Sequence, residues 1–314
     1  MINLQATSKK PKVVALVVCF YPNPEQLLVL VDQLGHQVEA IYLLNNGEIP
    51  PALRGDLLLI DQLEVHDFGE NIGVAAALNY GMELAVKAKA SFVITFDQDS
   101  EPQKDHVKGL VDAWYVLEER KAPAAKIGAI GPMFYDFRGG LHEYGFLCAK
   151  GLKVNKYYSS ANEVIVEADI LITSGMLVPV SVWQEGLFFN DQLFIDLVDT
   201  DWCLRVKSKG YTNFGCFNVR MKHDMSEAPP IRMFGISVLR YGYLRRYYYF
   251  RNCVYLMPKE FVPWAYKIRL FVTLLVMLLT ALLIDEHKIK SSKFILRGIY
   301  DGFSGKLGRF QELE

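Results

Sequence analysis

Between Val13 and Asp97 the sequence alternates short apolar runs with stretches of helical spacing, and this alternation narrows the possible folds more than any other feature. Val13–Phe20 is continuously apolar, Glu25–Leu34 has helical spacing, and Ala40–Leu44 is apolar again before the turn signal Asn45-Asn46-Gly47. Leu57–Ile60 reads as a short strand, Ala75–Ala88 as a helix, and Phe92–Phe96 as a strand ending on Asp97. Such a βαβ rhythm predicts an α/β fold with a mostly parallel sheet and ligands beyond the carboxyl ends of its strands. Further on, Val107–Arg120 and about Thr200–Ser208 read as helices, and Ile127–Ile130, Val164–Ala168 and Leu171–Val180 as strands. Neither a dinucleotide-binding glycine fingerprint nor a P-loop is present, which removes most support for a dehydrogenase or a P-loop NTPase.

Composition enters through charge. The 314 residues carry a net charge of −1, but residues 231–314 hold 14 basic and 6 acidic residues, leaving 20 basic and 29 acidic in residues 1–230. An acidic front and a basic back are therefore joined in one chain. With 51% hydrophobic and 22% charged residues, a disordered chain, a collagen-like fibre and a polybasic nucleic-acid binder are excluded. The five widely spaced cysteines form no CxxC pair and suggest neither a disulfide framework nor a zinc site.

The start, 1–12, is a short polar tail, and the apolar run after it is too short for a signal peptide, so a cytoplasmic start is expected. Near the other end, Leu270–Ile284 is a 15-residue apolar run, short of the roughly 20 residues that span a bilayer. A core helix, an interfacial helix or a re-entrant segment would each satisfy it. The basic and aromatic flank, Trp264, Tyr266, Lys267 and Arg269, favours a helix lying in the membrane interface on anionic lipid. Lys288–Phe310 mixes basic and apolar residues as a basic amphipathic segment would, although an ordinary surface helix has the same pattern.

Chemistry concentrates in a few segments. Phe92–Phe96 delivers Asp97 and Asp99, spaced i, i+2, to a strand end, where hard oxygen donors suit Mg²⁺ or Mn²⁺. Asp196, Asp199 and Asp201 lie within six residues at the entry to a helix; that exceeds what capping requires, and a carboxylate there could act as a general base. Asn71-Ile-Gly73 and Asn79-Tyr-Gly81 bring small residues and two amides to a helix start, where a ligand can approach the backbone. Arg245-Arg246-Tyr247-Tyr248-Tyr249-Phe250-Arg251-Asn252 could clamp a pyrophosphate or rest on lipid.

Taken in order, these pieces resemble family 2 of the nucleotide-sugar glycosyltransferases, over nearly the whole chain. The strand before Tyr21-Pro22-Asn23-Pro24, Asn45-Asn46-Gly47, Asn71 to Gly81 and Asp97-Gln98-Asp99 look like that family's nucleotide half. Asp199-Thr200-Asp201-Trp202-Cys203-Leu204-Arg205 looks like its catalytic-base motif, and Thr173-Ser174-Gly175 like its acceptor-side strand. With Tyr248-Tyr249-Phe250-Arg251-Asn252, the wording is most similar to the bacterial rhamnosyltransferase branch, whose members use dTDP-L-rhamnose.

The resemblance implies a GT-A type fold, a Rossmann-like mixed sheet flanked by helices, with a C-terminal helical membrane-associating extension. It divides the chain into a nucleotide-sugar half at 13–105, an acceptor and catalytic half at 106–227 and the extension at 228–314. It makes Asp199 the catalytic base, Asp99 and His223 ligands of a divalent metal, and Tyr21, Asn45, Asn71, Asn79, Asp97 and Arg251 donor-binding residues. Ser174, Gly175, Asp201 and Trp202 fall on the acceptor side. Two departures stand out: Val198 precedes Asp199 where the family commonly has Glu, and Asn45 stands where Asp is usual. The implied activity is inverting transfer of L-rhamnose to a hydroxyl of a glycan, lipid-linked in the reading that suits the basic back, at the inner face of the cell membrane. A UDP-hexose or galactofuranose donor, or a non-catalytic module binding nucleotide sugars or lipid, are the alternatives. No nucleic-acid partner is expected.

Overall fold

A computed structural model describes residues 11–120, 126–137, 141–159, 163–222, 228–233, 236–283, 285 and 287–311, with side chains of 228–240 outside the description. The first half runs β1 (Val13–Cys19), α1 (Pro24–Gly35), β2 (Ala40–Asn45), α2 (Pro51–Leu57), β3 (Leu63–Asp67), α3 (Val74–Lys87) and β4 (Phe92–Asp97). Every residue of β1 is buried, and the period of two deals its side chains to opposite faces. Val14, Leu16 and Val18 enter one core cluster, while Val13, Ala15, Val17 and Cys19 enter the other. A strand covered on both faces reads as an unbroken apolar run, which is why the sequence reveals it.

The expected strand at Leu57–Ile60 is corrected. Pro51, with its fixed φ, opens helix α2 instead, Leu53 and Leu57 share its buried face, and Leu58 and Leu59 are exposed. The strand lies later, at β3, an edge strand whose alternating, half-buried residues give no continuous run.

After β4 come β5 (Glu101–Pro102), α4 (His106–Arg120), β6 (Lys126–Asp136), β7 (His142–Tyr144), β8 (Phe146–Lys150), β9 (Lys153–Tyr157), β10 (Ile165–Ala168), β11 (Met176–Pro179), α5 (Val180–Gln184), α6 (Val198–Ser208) and β12 (Tyr211–Lys222). The main sheet has the order β10-β12-β6-β11-β4-β1-β2-β3 and is mixed. β4, β1, β2 and β3 are parallel, and β11 runs antiparallel to β4 and β6. β1 pairs with β2 on one side and β4 on the other, so the chain changes direction of winding between β1 and β4. Crevices at the carboxyl ends of such strands are where α/β sheets take ligands. The strand expected over Leu171–Val180 shrinks to β11, because Gly175 (φ +72°) turns the chain before it.

The C-terminal extension comprises the hairpin β13 (Ala228–Met233) and β14 (Ile236–Arg240), then helices α7 (Tyr243–Leu256), α8 (Trp264–Leu283) and α9 (Lys288–Phe303). α7 and α9 approach closely because Gly298 and Gly302 sit at the crossing; a Cβ there would lie 2.5 Å from the Tyr247 carbonyl and 2.7 Å from that of Arg251. The 15-residue apolar run is part of a 20-residue helix, since Trp264–Arg269 continue the same coil. By length and composition α8 is able to cross a membrane, with a mean hydropathy of 1.9. Its Tyr266, Leu270, Leu274, Met277 and Ala281 face the protein, while Trp264, Phe271, Val272, Leu275 and Leu279 are exposed.

Candidate active site

The carboxyl ends of β1 and β4 are stitched together by one side chain. Gln98 accepts from the Phe20 backbone N–H (2.7 Å) and donates to the Phe20 carbonyl (3.2 Å). This sets Asp97 and Asp99 beside Cys19 and Phe20 on the wall of a cavity of about 940 Å³. Behind them, the Thr173–Gly175 turn supports the strand end. Ser174, fully buried, accepts from the Asp97 N–H (3.3 Å) and shares a 2.6 Å hydrogen bond with Ser100; His106 Nε2 lies 3.1 Å from the Gly175 carbonyl. Burial lowers the His106 pKa to about 4, so the ring is neutral.

Across the same cavity stand Asp196 and Asp199. Asp199 lies in the first turn of α6, half-buried, with its Oδ1 accepting from the Thr200 N–H (2.6 Å) and hydroxyl (3.3 Å). Its pKa is raised to about 6, first by burial and further by Asp196 and Asp97, against the opposing Thr200 hydrogen bonds. A carboxylate tuned towards neutrality is suited to take up a proton and release it again. Asp196 pairs with Arg245 of α7 (3.1 Å), whose guanidinium lies 4.9 Å from the centre of the Tyr241 ring. α8 adds Tyr266, Arg269 and Leu270 to the cavity wall.

The neighbours in structure have this arrangement of sheet and helices. No protein-family model matches the chain. A mannosyltransferase, PcManGT from Pyrobaculum calidifontis in complex with GDP-Man and Mn²⁺, superposes with a TM-score of 0.56 at 12% identity, over 95% of this chain and 89% of its own. TarS of S. aureus in complex with UDP-GlcNAc gives 0.56 at 12%, over 93% and 81%. The chain has the GT-A glycosyltransferase fold. In sequence, the dTDP-rhamnosyl transferase RfbF of Shigella flexneri is 29% identical over 296 residues, 94% of this chain and 96% of its own. The resemblance to the rhamnosyltransferase branch therefore extends almost end to end.

Within this GT-A frame, Asn71, Asp97, Asp99 and Asp199 meet in one cavity. Tyr21 is exposed, with φ +49°, and follows Phe20, which lines the cavity. His223 lies outside the described residues. Several expected site residues have other work. Asn45 is buried and donates to Asp67 (2.7 Å), whose carboxylate is held low first by Arg54; the amide that lines the cavity is its neighbour Asn46. Asn79 braces Trp183 Nε1 (3.1 Å) and the backbone of Phe189, not a ligand. Ser174 and Gly175 shape the Asp97 turn from behind. Asp201, 1% exposed, is paired with Arg205 (2.6 Å) because it points to the opposite side of α6 from Asp199. Trp202 is buried and donates to the Leu187 carbonyl (2.7 Å). Arg251 is fully buried and its guanidinium is engaged by backbone carbonyls.

Asn46, Gln98, Asp196 and Arg245 are named in the sequence reading only as members of their segments, without a role of their own. Asp196 was visible only as part of an acidic triplet, and nothing in the triplet says which carboxylates share a face.

The donor set at the Asp97 turn is two carboxylates, which fits a hard divalent ion. Among the described residues no three His, Cys, Asp or Glu side chains are gathered to hold an ion alone. A metal there would complete its shell with water and substrate phosphate oxygens, as Mg²⁺ usually does.

Proposed function

We propose that this chain transfers L-rhamnose from dTDP-L-rhamnose to a hydroxyl of a glycan acceptor, with inversion at C1, in the synthesis of a cell-surface polysaccharide. The observation that carries the reading is the Asp199 carboxylate, raised to about 6 and facing Asp97 across one cavity. RfbF, a dTDP-rhamnosyl transferase by name, supports the choice of donor.

Asp199 accepts the proton of the acceptor hydroxyl as its oxygen forms a bond to C1 of the sugar. The bond between C1 and the diphosphate oxygen breaks on the opposite face, and the electron pair leaves with the nucleotide. Asn71 and Asp97 line the donor end of the cavity and orient the nucleotide, and Asn46 braces the loop after Asn71, accepting from the Ile72 N–H (3.2 Å) and donating to the Gly73 carbonyl (3.2 Å). Asp99 would hold a Mg²⁺ or Mn²⁺ ion, which supplies charge neutralisation for the departing diphosphate.

The extension supports a seat for this site at a membrane. The exposed face of α8 carries Trp264, Phe271, Leu275 and Leu279; Lys267 lies on the same helix, and Lys288, Lys290 and Lys293 lie on α9. That combination suits an anionic bilayer surface at the cytoplasmic side. Since α8 also walls the cavity, a lipid-linked glycan is the acceptor that best fits its position.

The test is hydrolysis and transfer by the purified protein over dTDP-L-rhamnose, UDP-glucose, UDP-galactofuranose and GDP-mannose with Mn²⁺. Selective turnover of dTDP-L-rhamnose is expected. Turnover of a UDP-sugar alone would replace the donor, and no turnover of any would leave a binding module.

A further inference from the structure

The loop before Asp199 has an unusual backbone. Phe194, Asp196 and Leu197 have φ of +66°, +61° and +60°, and none is glycine. L-residues adopt this region only where the surroundings impose it. Leu197 is also the N-cap of α6 and makes no side-chain cap, so the turn that leads into the helix is not held by its own capping residue.

The restraint comes from α7. Asn252 donates to the carbonyls of Leu193 (3.1 Å), Ile195 (2.7 Å) and Asp196 (2.9 Å). Arg251 donates to Leu193 (2.7 Å) and Gln192 (3.4 Å), and its Nε fixes the Asn252 amide through Oδ1 (2.9 Å). Its remaining arm bonds the Gly308 carbonyl, and Gly308 N–H in turn donates to Gln192 (2.7 Å). The guanidinium lies 5.6 and 4.9 Å from the ring centres of Tyr247 and Tyr248, and Tyr248 stacks on Phe194. Both side chains are fully buried. A buried cation whose partners are carbonyl dipoles rather than a carboxylate is costly to keep, and the loop it bonds is the one that leads into Asp199.

We propose that Arg251 and Asn252 are positioning residues of the transfer step: they hold the left-handed 194–197 turn that aims Asp199 into the cavity. The proposal rests on Asp199 being the base of the reaction. Phe194 extends the effect across the site, since its carbonyl accepts from the Val74 N–H (2.8 Å) at the start of α3.

Asn252→Ala should lower kcat about 10- to 100-fold, the cost of a displacement near 1 Å, with donor KM within about twofold. Amide hydrogen exchange of 192–198 should quicken while that of β1 and β4 is unchanged. Val254→Ala, on the same helix but against Gly302 of α9, should lower Tm and leave kcat within about twofold. Wild-type kcat in a folded Asn252→Ala protein would overturn the proposal, as would a loss confined to donor KM, which would mean direct donor contact. Should wild-type protein turn over no nucleotide sugar, the functional reading fails, and the exchange of 192–198 still decides whether the pair holds the turn. If Asn252→Ala does not fold, Arg251→Lys, which retains the charge and a donor, undergoes the same measurements.

Discussion

The two acidic segments that meet in the cavity are held in opposite ways. Asp97 and Asp99 follow directly from β4, a strand buried on both faces and hydrogen-bonded to β1 and β11, so the sheet itself places them. Asp199 follows a turn with three left-handed residues, and the groups that satisfy its carbonyls come from more than 50 residues later in the chain. A donor edge of this kind is the property of a sheet, braced at its end by Phe20 and Ser174 from the neighbouring strands' ends. The edge that carries Asp199 is held by the basic extension, which makes the extension part of the site under the proposed function.

If the division is real, the two edges should fail differently. Asp199→Asn should reduce transfer by about 10³-fold or more, with donor affinity by calorimetry within about twofold of wild type. Asp99→Asn should instead remove the Mn²⁺ dependence of donor binding, measured by titration with and without the ion. A variant that lost both properties at once would break the comparison. The wild-type kcat should fall on acidification with a midpoint of about 6, because Asp199 must be ionised to accept the proton. The Asp199→Asn residual rate should be flat there.

Smaller effects sharpen the picture on the donor side. His106, depressed to about 4 by burial beneath the Asp97 turn, favours the folded state fully above its unfolded pKa of about 6.5. That stability is lost as pH falls from about 6.5 to 4, by about 3 kcal/mol, and His106→Gln should flatten the loss in urea-unfolding curves. Gly73 is where the edges touch: a Cβ would lie 2.7 Å from the Phe194 carbonyl, at φ +86°. Gly73→Ala should cost about 1–3 kcal/mol in chemical unfolding and reduce kcat, since it presses on the turn before Asp199.

The sequence made the strands β1 and β4 and the Asp97 turn readable because burial on both faces leaves each strand an unbroken apolar run, and Asp97 closes one of them. Asp199 was readable by its motif. The edge strand β3 was not, because half-burial leaves only a weak alternation and the leucines before it point to solvent. Arg251, Asn79, Asp201 and Trp202 took ligand-binding roles from the family resemblance, which matches segments and says nothing of which way each side chain points. Each is satisfied by a carbonyl or a paired side chain from a distant segment, and no spacing in the sequence marks a backbone carbonyl as a partner.

One consequence of the Gly308 contact concerns time. A ribosome delivers about 5–20 residues per second from the N-terminus, so the crevice between β1 and β4 is complete well before Gly308 emerges. Arg251 gains its last partner only then. A chain halted at Phe303 should therefore bind a nucleotide sugar yet turn it over poorly, and a nascent enzyme would not waste donor before it is whole.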